Sequence, residues 1–114
     1  MNQVPGAPTL RVELLTVPDC PNGPVASRHL AEALAGRTDV SVEHRVVSTP
    51  EEAERYGMHG SPTILIGGRD PFAQPGAVAS LSCRLYRDAD SRVQGAPSAG
   101  QFREALAAAE SAQA

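Results

Sequence analysis

The stretch VPDCPNGP, Val17 to Pro24, sets one of the chain's two cysteines in a short loop between an apolar run and a helical stretch, with prolines on both sides. A thiol just ahead of a helix is placed for nucleophilic work, because the helix N-terminus favours nearby negative charge. A loop between prolines is also poorly suited to packing a buried side chain. Three positions on, where a redox protein usually carries a second cysteine, stands Gly23. Asp19 precedes Cys20, and its charge opposes the thiolate that the helix end favours. The other cysteine, Cys83, lies far downstream in SLSCRLYRD. Brought to Cys20, it would complete a pair able to cycle between dithiol and disulfide; otherwise it is a small apolar core residue. His59 can serve as a proton carrier near the thiol or stand in a surface loop. His44 falls on a strand, where partial burial is expected. Arg84 and Arg87 beside Cys83 can stabilise a thiolate or hold an anionic thiol cofactor, or be solvated charges. Two Cys and three His without close pairing give no metal-ligand spacing, so no metal and no other cofactor is expected.

Composition narrows the class. A chain of 114 residues suits one domain with a real core. The 10 basic and 13 acidic residues leave a formal charge of −3, which favours neither a nucleic acid nor a membrane as partner. Every basic residue is arginine, which together with the wealth of Ala, Gly and Pro suggests a GC-rich, bacterial genome. MNQVPGAPTLR is no signal peptide, and no apolar run approaches a membrane span, so a cytoplasmic protein with reduced thiols is expected.

The elements that must position Cys20 follow from periodicity. Residues 1–9 form a loose arm and 10–114 one domain. Leu10–Val17 alternates as a strand ending at the Cys20 loop. Gly23–Ala35 is helical, with Ala26, Leu30, Ala33 and Leu34 on one face, Asn22 as N-cap and Gly36 as stop. Val40–Val47 is a second strand, with Val40, Val42, His44 and Val46 on one face. Thr49-Pro50-Glu51-Glu52 is a capping box opening a helix to about Tyr56. Ile64–Ile66 is a buried strand that Gly67-Gly68 turns towards an antiparallel partner near Arg69–Phe72. Residues 73–97 form an irregular insertion carrying Cys83, with a turn at 88–91. Ser98-x-x-Gln101 caps a last helix with Phe102, Ala105, Leu106 and Ala109 inward.

This order, with the loop cysteine before the first helix and Gly60-Ser61-Pro62-Thr63 before the third strand, resembles the thioredoxin superfamily. The resemblance covers roughly residues 10–72 and the final helix. It implies an α/β thioredoxin-like fold, with a central mixed β-sheet of about four strands flanked by helices and an insertion before the C-terminal helix. It also implies a cis Ser61–Pro62 bond lying against Cys20, with the backbone of Ser61 open to a docked thiol or peptide. The chain departs from the pattern in Cys20-Pro21-Asn22-Gly23, which lacks the resolving cysteine, in Asp19, where tryptophan often stands, and in the insertion.

Three functions follow. In the first, Cys20 is the nucleophile of a thiol-disulfide oxidoreductase acting on a protein or small-molecule thiol or disulfide, with Cys83 or a small cellular thiol resolving the intermediate and Asp19, His59, Ser61 and Pro62 lining the site. Gly23 in the second position would also suit a monothiol glutaredoxin-like protein. In the second, the thiol pair and Asp19 resemble the site of alkylmercury lyases, and the pair handles a thiophilic metal or organomercurial. In the third, the chain is a thioredoxin-fold binding or scaffold protein without catalysis.

Overall fold

The computed structural model describes residues 10–113; the expected arm at 1–9 lies outside them. Three strands, β1 (Leu10–Thr16), β2 (Val40–Val46) and β4 (Thr63–Ile66), form the central sheet in the order β2-β1-β4. β1 runs parallel to β2 through a crossover helix, α1 (Gly23–Leu34), and antiparallel to β4. A short helix, α2 (Pro50–Tyr56), and strand β3 (His59–Ser61) precede β4, and a long helix, α3 (Ala99–Gln113), closes the chain.

The period-two pattern of β1 explains how the sheet is covered on both faces. Val12 and Leu14 join Ala26, Leu30 and Leu34 of α1, Ile64 and Ile66 of β4, and Phe102 and Leu106 of α3 in one core. Leu15 and Leu65 point the other way, onto Val47, Ala53 of α2 and Met58. The result is a mixed α/β architecture with α1 and α3 on one side and α2 on the other. Fully buried side chains such as Leu30 and Phe102 each contribute about 1.5–3 kcal/mol relative to exposure.

Both capping expectations hold. Thr49 Oγ1 accepts the Glu52 N–H at 3.1 Å, and Glu52 reaches back to the Ser48 N–H at 3.1 Å. Ser98 and Gln101 exchange the reciprocal pair, at 3.1 and 2.9 Å. Asn22 is the N-cap of α1, without a side-chain capping bond, so Pro24 falls in the first turn where its missing N–H is harmless.

Three expectations are corrected. The sheet has three strands, because the chain after Gly67-Gly68 pairs only at an isolated Ile66–Arg69 bridge. There Asp70 turns its carboxylate inward to take the Phe72 N–H at 2.9 Å, and Pro71 has no N–H to continue a ladder. The valine face of β2 is largely open: Val42 and Val46 are 47% and 51% exposed, since β2 stands at the sheet edge with β1 as its hydrogen-bonded neighbour. His44 is exposed rather than partly buried, though its Nε2 lies 2.7 Å from Thr16 Oγ1.

The insertion is ordered. It contains β5 (Ser80–Cys83), β6 (Tyr86–Arg87) and β7 (Val93–Gln94), of which β5 pairs parallel with β3 and β6 antiparallel with β7. Asp88 holds the β6–β7 turn, its carboxylate accepting the N–H groups of Asp90 and Arg92 at 2.9 Å each. Those bonds, that from Arg92 foremost, hold the carboxyl below its usual range. The hairpin is fastened to α3 through Gln101 Nε2, which donates to Arg87 O at 2.6 Å. Phe72 stands edge-on to both Tyr86 and Phe102, with ring centroids 5.6 and 6.0 Å apart, so the insertion shares the main core.

Candidate active site

Cys20 sits in two successive turns. Its N–H donates to Val17 O at 3.3 Å, and its own carbonyl accepts the Gly23 N–H at 3.2 Å, delivering the chain into α1. Asp19 adopts a left-handed backbone, φ 58°, in the first turn, and its side chain is exposed. Aspartate tolerates that conformation better than most residues. Gly23, at the position of the absent second cysteine, is buried: a Cβ there would stand 3.2 Å from the Thr16 methyl. A cysteine at 23 would therefore press on the end of β1, and the Thr16 methyl would have to give way by a few tenths of an ångström to admit it.

Ser61 and Pro62 lie beside this loop. The Val17 N–H donates to Ser61 Oγ at 3.0 Å, joining the thiol loop to the end of β3, and the Ser61–Pro62 peptide is cis. Both residues are buried. On the other side of β3 the insertion closes in, with Ser61 in register with Cys83 and the Arg84 N–H donating to Ser61 O at 3.0 Å. Ser61 is thus bonded through its hydroxyl to the loop of Cys20 and through its backbone to the strand of Cys83. Both cysteines are free; Cys20 is half-buried and Cys83 exposed, so Cys83 is not the core residue that one reading of the sequence allowed.

Next to the thiols is a charged cluster that the sequence did not disclose. Asp70, its side chain 2% exposed, accepts from His59 Nδ1 at 2.8 Å and from Arg84 at 2.6 and 3.3 Å. The guanidinium of Arg84 also lies over the Tyr86 ring, 4.6 Å from its centroid. Tyr86 in turn donates its hydroxyl to Pro62 O. Burial pushes the Tyr86 phenol above its ordinary range, a shift that Arg84 opposes, so the hydroxyl remains a donor at neutral pH.

His59 and Arg84 are paired to one carboxylate, and Arg87 is exposed with a bond to Ser91 O. His59, Phe72, Arg84, Tyr86, Arg87 and Gln101 are among the residues lining a cleft of about 760 Å³. Neither cysteine is among the residues lining that cleft. Among the described residues no group of three or more His, Cys, Asp or Glu is placed to hold a metal ion, and no helix is long and apolar enough to cross a membrane.

Gly60 is a further position that the packing of β5 on β3 depends on. Its φ is +113°, and a Cβ there would stand 2.9 Å from Arg84 Cβ and 3.0 Å from Ser82 O. The close approach of β5 to β3 requires glycine at this point. Gly60→Ala is expected to destabilise the protein by about 1–3 kcal/mol and to loosen the Ser61–Cys83 pairing. Chemical denaturation, with amide exchange at Arg84 as the local reporter, checks this; an unchanged midpoint and an unchanged Arg84 protection would contradict it.

No family model matches the chain, and no solved structure matches it. A thioredoxin of Methanocaldococcus jannaschii is 39% identical over 65 residues, a match that covers 55% of this chain and 76% of that protein. With the mixed sheet, the loop cysteine ahead of α1 and Pro62 beside it, that identity places the sequence: the chain belongs to the thioredoxin family.

Proposed function

We propose that the protein is a thiol-disulfide oxidoreductase in which Cys20 attacks and Cys83 resolves. The observation that carries this reading is the position of Ser61, bonded to the Cys20 loop on one side and in register with Cys83 on the other. In the first step the Cys20 thiolate attacks a disulfide RS–SR. A Cys20–SR bond forms and RS⁻ leaves, with no net change of oxidation state. In the second the Cys83 thiolate attacks Cys20 Sγ and expels the second RS⁻. The substrate gains two electrons and the protein becomes the Cys20–Cys83 disulfide. A dithiol reductant of the cell must then return it to the reduced form.

Family membership supports a thioredoxin-like redox role; the assignment of Cys83 as resolving thiol rests on the register of β5 with β3. A cysteine on β5 would take the resolving role that Gly23 cannot fill. Mild oxidation followed by mass spectrometry of the unreduced digest tests the pair. A single intramolecular Cys20–Cys83 link that a dithiol reverses is expected. Two thiols that stay free would remove Cys83 from the mechanism, and binding of one Hg(II) by such a thiol pair would favour thiophilic-metal handling instead.

A further inference from the structure

Resting on the redox reading of Cys20, we infer that its substrate is a low-molecular-weight disulfide and not an extended polypeptide, because the chain's own β5 fills the strand edge beside the thiol. An extended peptide docks on such a site by adding a strand to an exposed edge, where its backbone supplies the binding energy. The edge nearest Cys20 is that of β3, whose last residue, Ser61, is tied to the thiol loop. Both ends of that edge are taken. Met58 O accepts the Ser80 N–H at 2.9 Å, Ser61 O accepts the Arg84 N–H at 3.0 Å, and His59 and Ser61 are in register with Ser80 and Cys83.

The covering strand is anchored well beyond its backbone. Withdrawing it past Ser61 would pull Arg84 from the buried Asp70 carboxylate and off the Tyr86 ring. The hairpin that follows is held too: Tyr86 donates to Pro62 O, and Gly95 lies so close to Asn22, the N-cap of α1, that a Cβ would fall 2.4 Å from its side chain. The chain therefore covers the Cys20 site from the β3 edge round to the helix start. Of the two edges of the central sheet, that of β2 lies across β1, and that of β4 is met by the chain itself at the Ile66–Arg69 bridge. What stays accessible is the half-buried Cys20, flanked by exposed Asp19 and Pro21. A small disulfide can reach that thiol without any strand pairing. Exchange needs no further reactant: one S–S bond breaks, another forms at Cys20, and one thiolate leaves.

The test compares two substrates with the same scissile bond in the full-length Cys83→Ser chain, where the Cys20 adduct persists. One is 2-hydroxyethyl disulfide; the other is an extended dodecapeptide whose central cysteine carries the same 2-hydroxyethylthio group. Strand addition through a few backbone hydrogen bonds would accelerate the peptide about a hundredfold. With the edge filled, the peptide is expected to react no faster than the small disulfide. A peptide rate tenfold or more above it would overturn the inference while leaving Cys20 a redox thiol. No adduct at Cys20 from either substrate would be the failure of the redox reading, and the inference would fall with it. Arg84→Pro removes the N–H given to Ser61 O; in the folded variant a rise in the peptide rate alone is expected, and an unchanged ratio would overturn the role of β5. If that variant does not fold, the two-substrate comparison decides by itself.

Discussion

Asp70→Ala is expected to destabilise the protein by about 3 kcal/mol and to free the insertion from the body of the fold. The carboxylate is almost wholly buried and carries three partners: His59, the Phe72 N–H and both terminal nitrogens of Arg84. Removing one member of a buried pair leaves the other charge in a poor environment, typically at about 3–5 kcal/mol. The lower end applies because the Arg84 side chain retains 11% of its exposure and can swing toward water. Asp70→Asn keeps the shape and the acceptor for Phe72 but loses the charge, so it should fall between wild type and alanine. Urea unfolding of the three proteins gives the order. Equal stability of Asp70→Ala and wild type would mean that Arg84 finds full compensation elsewhere. The effect should also spread: amide protection at Ser80 and Arg84, which bond to Met58 and Ser61, should drop more than at core residues such as Leu14.

The same cluster shows where sequence reasoning stops. Elements with local causes were legible: the capping boxes at Thr49 and Ser98, the alternation of β1, the apolar stripe of α1 and the glycine stop at Gly36 are written within a few residues each. The loop position of Cys20 and the place of Pro62 just before β4 were legible as well, because strand, turn and helix signals bracket them. Asp70 was not. Between Arg69 and Pro71 an aspartate looks like a turn residue, and its role depends on Arg84 fourteen positions on and on His59 eleven positions back.

The insertion was misread as irregular for a similar reason. Its short strands contain Ser80, Ser82 and Cys83, with none of the β-branched runs that mark a buried strand, and β5 is held in place by β3 and not by any hairpin of its own. The valines of β2 erred in the opposite direction. Their period was correct, but alternation reports two faces and cannot say that the strand stands at an edge. Tyr86 had one usable signal: in a chain with two tyrosines and two phenylalanines, a ring is more often core than surface.

The largest functional effect is expected from Cys20→Ser. Disulfide exchange proceeds through a thiolate, and a serine hydroxyl is not ionised at neutral pH, so turnover of a small disulfide should fall by at least about a thousandfold. The fold should be unaffected, because Cys20 contributes only its backbone to the turns that start α1. Cys83→Ser should behave differently. The first attack remains, so one equivalent of leaving thiol is released rapidly, and the protein then accumulates as the Cys20 mixed disulfide for want of a resolving group. The two variants thus separate the steps: no burst in one, a burst without turnover in the other. Rapid-mixing measurement of released thiol, with intact-mass analysis of the protein, distinguishes them. A burst in Cys20→Ser would make Cys83 the attacking thiol, which its exposed position on β5 permits. Unimpaired turnover in Cys83→Ser would mean that a free thiol in solution resolves the intermediate. In that case the half-buried Cys20 acts alone, and the strand carrying Cys83 serves only to close the edge beside it.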